Sequence, residues 1–241
     1  MPAFEIVVPA LTLQANEGAI NFEATREYAV RAAATWVDYF ILSGSTTRGN
    51  LLSVDERAAV LDLWLEVTEP ERLLPCCWVA ADLSNAAQRG VRPMAVLKGL
   101  SRSEAIDYCT QLPDAATIYS HPMFGGVQFD GQLAADLRQG GALPSAGKVA
   151  KITSDEVRAI QAAAGEAFRL WDGSSRRIAT SLSEGAAGVV ATPLSPFQAD
   201  FPPRSVASIQ RAVDAVQAGL DALPTRAERT KMLMDQASSA T

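Results

Sequence analysis

Residues 115–164 read AATIYSHPMFGGVQFDGQLAADLRQGGALPSAGKVAKITSDEVRAIQAAA, and this stretch decides the fold. Residues 115–119 form a short apolar run that ends before His121-Pro122. Residues 131–138 carry apolar side chains at helical spacing, residues 148–152 form a second apolar run, and Ser154-Asp-Glu-Val opens a helix over 156–164. Strand, helix, strand, helix is the pattern of parallel strands joined by helical crossovers. It extends in both directions. Apolar runs at 6–12, 39–45, 75–80 and 93–97 precede the stretch, and runs at 168–171 and 188–191 follow it, which makes eight candidate strands. Helical patterns lie at 22–35 behind Asn21 as N-cap, and from the capping box Ser53-Val-Asp-Glu56 towards Val67. The pattern Ser101-Arg-Ser-Glu104 opens another, and further ones cover 175–184, 204–222 and 225–236. Right-handed crossovers leave an open doubly wound sheet or a closed barrel. Eight strands with neither a GxGxxG after the first nor a Walker motif favour the (β/α)8 TIM barrel. The barrel is expected over residues 1–222. A short C-terminal helix and a fraying tail after Gln236 fill 223–241.

Composition narrows the function. The chain has 241 residues, 48% of them hydrophobic and 20% charged, with a formal net charge of −6. An acidic chain repels phosphate backbones and anionic lipid surfaces, so nucleic acid and membranes are not expected partners. No apolar stretch approaches the ~18 residues of a membrane span, and Met1-Pro-Ala-Phe-Glu-Ile has no signal-peptide pattern. Cys76, Cys77 and Cys109 are odd in number and lack CxxC spacing, and His121 is the one histidine. Neither a disulfide framework nor a metal site is expected, no cofactor is implied, and free thiols suit the cytoplasm.

In such a barrel the chemistry sits where strands end at the C-terminal face. The candidate segments are Gly44-Ser45-Thr46-Thr47-Arg48-Gly49, Tyr119-Ser120-His121-Pro122, Lys151-Ile152-Thr153, Asp172-Gly173-Ser174 and Thr192-Pro193. Lys151 interrupts an apolar run. By strand parity it shares a face with Val149, whereas Lys148 and Ala150 share the other. If Val149 lines the interior, so does Lys151. An amine taken out of water favours its uncharged form, which can condense with a ketone to a Schiff base. An amine snorkelling to the barrel rim satisfies the same pattern. Tyr119 ends the strand beside the lysine strand, where a phenol can move protons. Ser45 and Thr46 follow Gly44 in a turn able to hold a carboxylate. Cys76 and Cys77 are read as core residues early in the third strand.

In order along the chain, these positions resemble the dihydrodipicolinate synthase / N-acetylneuraminate lyase family. The resemblance rests on Gly44-Ser45-Thr46-Thr47 followed by Leu52-Ser53-Val-Asp-Glu-Arg57, on Tyr119-Ser120-His121-Pro122, on Lys151-Ile152-Thr153, and on Gly173-Ser174-Ser175 with Gly185-Ala-Ala-Gly188. It runs from about Val7 to about Ala222. It implies a lyase that joins or cleaves a 2-oxo acid such as pyruvate and an aldehyde. Lys151 would form the imine and Tyr119 relay protons. Gly44, Ser45, Thr46, Gly173 and Thr192 would bind substrate, in a homo-oligomer, dimer or tetramer. Lys148 is a rival for the imine, because the gap from Tyr119 to Lys151 is longer than the family's. A hydratase or decarboxylase working through the same iminium, or a barrel that only binds oxo acids, are alternatives. Where the synthases carry an arginine in the strand-five loop, this chain has Phe124, so dihydrodipicolinate synthesis itself is not implied.

Overall fold

The eight apolar runs become strands of one closed, all-parallel barrel in sequential order: β1 (Glu5–Pro9), β2 (Tyr39–Leu42), β3 (Leu73–Cys77), β4 (Met94–Val96), β5 (Thr117–Ser120), β6 (Ala146–Val149), β7 (Arg169–Asp172) and β8 (Gly188–Val190). β8 closes on β1 through Glu5↔Gly188. The computed structural model describes residues 4–15 and 18–239. The expected absence of a leader signal falls partly on residues 1–3, outside the described residues. The helices are α1 (Phe22–Ala33), α2 (Val54–Leu65), α3 (Ala80–Gln88), α4 (Arg102–Cys109), α5 (Gly131–Gln139), α6 (Ser154–Ala164), α7 (Ile178–Ser183), α8 (Val206–Ala222) and α9 (Arg226–Ser238). Among the described residues, no helix is long and apolar enough to cross a membrane.

Strand parity divides the core into an inner and an outer layer. Val7, Ile41, Leu74, Cys76, Met94, Tyr119, Ala146, Trp171 and Val190 pack together inside the barrel. Their strand neighbours Ile6, Val8, Phe40, Leu42 and Leu73 face the helices on one side, and Ile118, Val149 and Leu170 on the other. The N-terminal end is plugged. Trp171 Nε1 donates to Glu5 Oε2 at 2.7 Å, Arg169 pairs with the same carboxylate, and Tyr39 lies 5.2 Å from the Trp171 ring. The C-terminal end carries a cavity lined by several strand ends.

Four local expectations change. The sixth strand begins at Ala146 and stops at Val149, so Lys151 lies beyond it. Ala146-Gly147 looks like loop sequence, yet Gly147 is a strand residue whose missing side chain makes room. A Cβ there would come within 2.8 Å of Phe168 Cζ and 3.0 Å of Ile118 Cγ1. The run expected to end at Ala80 ends at Cys77, so the two cysteines close the strand instead of opening it, and α3 follows. The cap of α6 is Thr153, not Ser154, with Glu156 completing the capping box. Asn21, Ser53 and Ser101 cap α1, α2 and α4 as the sequence implies. The tail expected to fray after Gln236 continues α9 to Ser238, while residues 240–241 lie outside the described residues.

Candidate active site

The loop after β2 is bent by the backbone and then bolted down. Ser43 (φ 49°) and Arg48 (φ 57°) both take left-handed conformations around a 3-10 turn, Ser45–Thr47. Gly49 folds back so closely that a Cβ would sit 1.9 Å from the Ser43 carbonyl oxygen, which no side chain allows. Gly49 N–H donates to the Gly44 carbonyl at 2.9 Å. Beneath the loop, buried Arg57 donates through Nε to Asp82 Oδ1 at 2.9 Å and through Nη1 to the Leu52 carbonyl. Asp82 Oδ2 also accepts the N–H groups of Trp78 and Val79, which supplies the N-terminal cap that Val79 lacks, and Trp78 Nε1 donates to the Ser43 carbonyl at 2.9 Å. A loop held at both ends can present Ser45 at a fixed position.

Tyr119 and Lys148 meet that serine from β5 and β6, where they are register partners. Tyr119 is 1% exposed, stands edge-on to Phe124 with centroids 4.9 Å apart, and places its hydroxyl 2.7 Å from Ser45 Oγ. Lys148, two residues on from inward-facing Ala146, is 4% exposed, and its Nζ lies 4.0 Å from the centre of the Tyr119 ring. The ring face offers partial compensation for the charge. No carboxylate lies within ion-pair distance of Lys148 among the described residues. A buried lysine with an aromatic face but no carboxylate partner is costly to keep, which points to a role.

The placement expected for Lys151 is corrected here. Val149, its supposed companion inside the barrel, packs against the helix layer. Lys151 follows the end of β6, takes φ 62° and is exposed on the rim. It lines the same cavity as Lys148 but from the outside edge.

The cavity, about 750 Å³, opens at the C-terminal face and is lined by Ser45, Thr46, Tyr119, Lys148, Lys151, Gly173 and Thr192 among others. Those predicted positions converge. Gly44 does not line it and instead caps the Ser45 turn. Gly173 allows the β6 and β7 loops to touch, since a Cβ there would lie 2.6 Å from Ala150 Cα. His121 lines the entrance. Its Nδ1 accepts the Met123 N–H at 3.0 Å, and burial together with the charges of Arg226, Lys148 and Lys151 pushes its pKa down to about 4. Cys76 lies below the site. Burial pushes its thiol up to about 12 despite nearby Lys148, so it is not a nucleophile at neutral pH.

The sequence shows that α9 has a face to bury but not that it reaches the Ser45 loop. Its buried stripe Thr230, Leu233 and Ala237 docks it on the barrel; Thr230 Oγ1 donates to the Thr46 carbonyl at 2.6 Å, and Arg31 Nη2 to the Ala237 carbonyl at 2.6 Å. From this position Arg226 Nη2 donates to Ser45 Oγ at 2.8 Å. The apolar spacing at 230, 233 and 237 is the signal that this helix covers something.

No protein-family model matches the chain, and neither does any curated protein. Solved structures do. The dihydrodipicolinate synthase of Agrobacterium tumefaciens str. C58 superposes with a TM-score of 0.80 at 16% identity, over 99% of this chain and 89% of that one. The 2-keto-3-deoxygluconate aldolase of Picrophilus torridus gives 0.78 at 16% identity, over 97% and 93%. A variant of the Sulfolobus solfataricus 2-keto-3-deoxygluconate aldolase, solved with L-2-keto-3-deoxygalactonate, gives 0.72 at 14% identity, over 98% and 96%. At these identities the likeness establishes the (β/α)8 fold.

Proposed function

We propose that this chain is a Schiff-base lyase related to the dihydrodipicolinate synthases and 2-keto-3-deoxygluconate aldolases, acting on pyruvate or a similar 2-oxo acid, with Lys148 as the imine-forming residue. The observation that carries the reading is the buried Lys148 amine, without a carboxylate partner, over a tyrosine whose hydroxyl meets Ser45 at 2.7 Å. The structural neighbours named above support it, since they are enzymes of this kind by their own descriptions.

The steps follow from these groups. The Lys148 amine adds to the ketone carbon, and loss of water leaves an iminium. That cation draws electrons from the neighbouring carbon, which gives a proton to the Tyr119 oxygen, left deprotonated when its proton departed with the water, and so becomes an enamine. The enamine carbon attacks the aldehyde carbon, and the resulting alkoxide takes a proton, for which the Tyr119 hydroxyl is in position. Water then hydrolyses the iminium and frees the lysine; cleavage is the reverse. Ser45 orients the tyrosine hydroxyl and, with Thr46, receives the 2-oxo acid carboxylate. Gly173 and Thr192 shape the wall. We also propose a homo-oligomer in a reducing cytoplasm, consistent with three buried free thiols, and sedimentation would measure the assembly.

Enamine formation is testable without knowing the aldehyde. In deuterium oxide the methyl protons of pyruvate should be replaced by deuterium in the presence of the protein, followed by proton NMR. The K148M variant should lose that exchange. Exchange no faster than in buffer, or undiminished in K148M, would overturn the reading.

A further inference from the structure

The barrel mouth holds more positive charge than one carboxylate neutralises. Lys148, Lys151, Arg176, Arg177, Arg226 and Arg229 line the cavity, and no aspartate or glutamate does. Arg176 is paired with Asp221 at 2.7 Å. The other five have no carboxylate within 4.0 Å among the described residues. They gather in a chain whose net charge is −6, so this is a local field and not a global one. A 2-oxo acid brings one negative charge, and its iminium on Lys148 remains a cation. Several positive groups then still face the rest of the ligand.

Arg226 is hydrogen-bonded into the proposed site. One arm of its guanidinium donates to Ser45 Oγ, whose other partner is the Tyr119 hydroxyl, and the second arm leans on Met123 beyond β5. α9 is anchored through Thr230 to the Thr46 carbonyl, so the guanidinium is held against the cavity. Neutral His121, in the same loop as Met123, adds no charge of its own beside the guanidinium.

We infer that the aldehyde partner is itself anionic, and that Arg226 of α9 receives its carboxylate or phosphate group. This rests on the lyase reading above and deepens it by naming a substrate class. The specificity-determining residue is supplied by the C-terminal helix and not by a barrel loop. A guanidinium suits either anion because it can donate two parallel hydrogen bonds to it.

The test compares kcat/KM for condensation of pyruvate with glyceraldehyde, with glyceraldehyde 3-phosphate and with succinic semialdehyde. The wild-type protein should favour at least one of the anionic aldehydes over glyceraldehyde by about 100-fold, the value expected of one charge-assisted pair. Which of the two is favoured distinguishes phosphate from carboxylate. R226Q should shrink that preference by about 30-fold and R226K by less, whereas R211Q, on the exposed face of α8, should retain it. No anionic preference in the wild type, or the same preference in R226Q, overturns the inference. So does R226Q slowing the deuterium exchange of pyruvate while the aldehyde preference stands, because Arg226 then serves the 2-oxo acid. Failure of the wild type to exchange pyruvate protons overturns the lyase reading itself, a result distinct from a lost preference.

Discussion

The two ends of this barrel treat buried charge in opposite ways. At the N-terminal floor the Glu5 carboxylate is nearly buried, but Arg169 pairs with it and the Trp171 indole donates to it. At the C-terminal mouth Lys148 is just as buried and has an aromatic face but no carboxylate. Desolvating an ion costs several kcal/mol unless partners compensate; the floor supplies them from within the fold, whereas on the proposed reading the mouth takes them from a ligand. The Arg57–Asp82 pair belongs with the floor by this criterion, since each charge is satisfied and its work is to hold the Ser45 loop.

This contrast can be broken by substitution. K148M should lower turnover by on the order of 10,000-fold, since the nucleophile is gone, yet thermal unfolding should show no loss of stability, because an uncompensated buried cation is replaced by an apolar chain of similar length. A sharp drop in melting temperature would place Lys148 with the floor. R57A should do the opposite to stability, costing about 3–5 kcal/mol in denaturant unfolding, since it leaves Asp82 buried and alone. Y119F keeps the ring beneath Lys148 and removes only the hydroxyl; kcat should fall about 100-fold while pyruvate still forms its imine. E5A should cost about 1–3 kcal/mol by stranding the Trp171 N–H, and should leave pyruvate exchange in place.

The smallest effect is also the cleanest to observe, because the chain has one histidine. His121 should titrate near pH 4 and not near 6.5, measured by NMR of its ring protons. The sign of the linkage follows. The unfolded chain takes up this proton first, so stability is unaffected above about pH 6.5 and declines as the pH falls from there towards about 4. Burial is the larger cause, so R226Q should raise the His121 value only part of the way. An unmoved titration would separate Arg226 from the mouth's field.

Most of the fold could be read from alternating runs and capping boxes, because these are local. The errors came from contacts that are not. An apolar Val149 suits either face of β6, and only its packing against the helix layer puts Lys148, not Lys151, inside the barrel. α3 is not legible in the sequence because Val79 cannot cap a helix and Asp82 reaches back to do so. Tyr119, Ser45 and Thr46 were legible because each ends a strand or follows one. Arg226 was not, since its contact with Ser45 spans 181 residues of sequence.

The most direct test of the account is to reduce the protein with borohydride in the presence of pyruvate and map the modified residue by peptide mass spectrometry. The account predicts a single pyruvate-derived adduct on Lys148, absent from K148M and present in K151M. An adduct on Lys151, or none on either lysine, would contradict it.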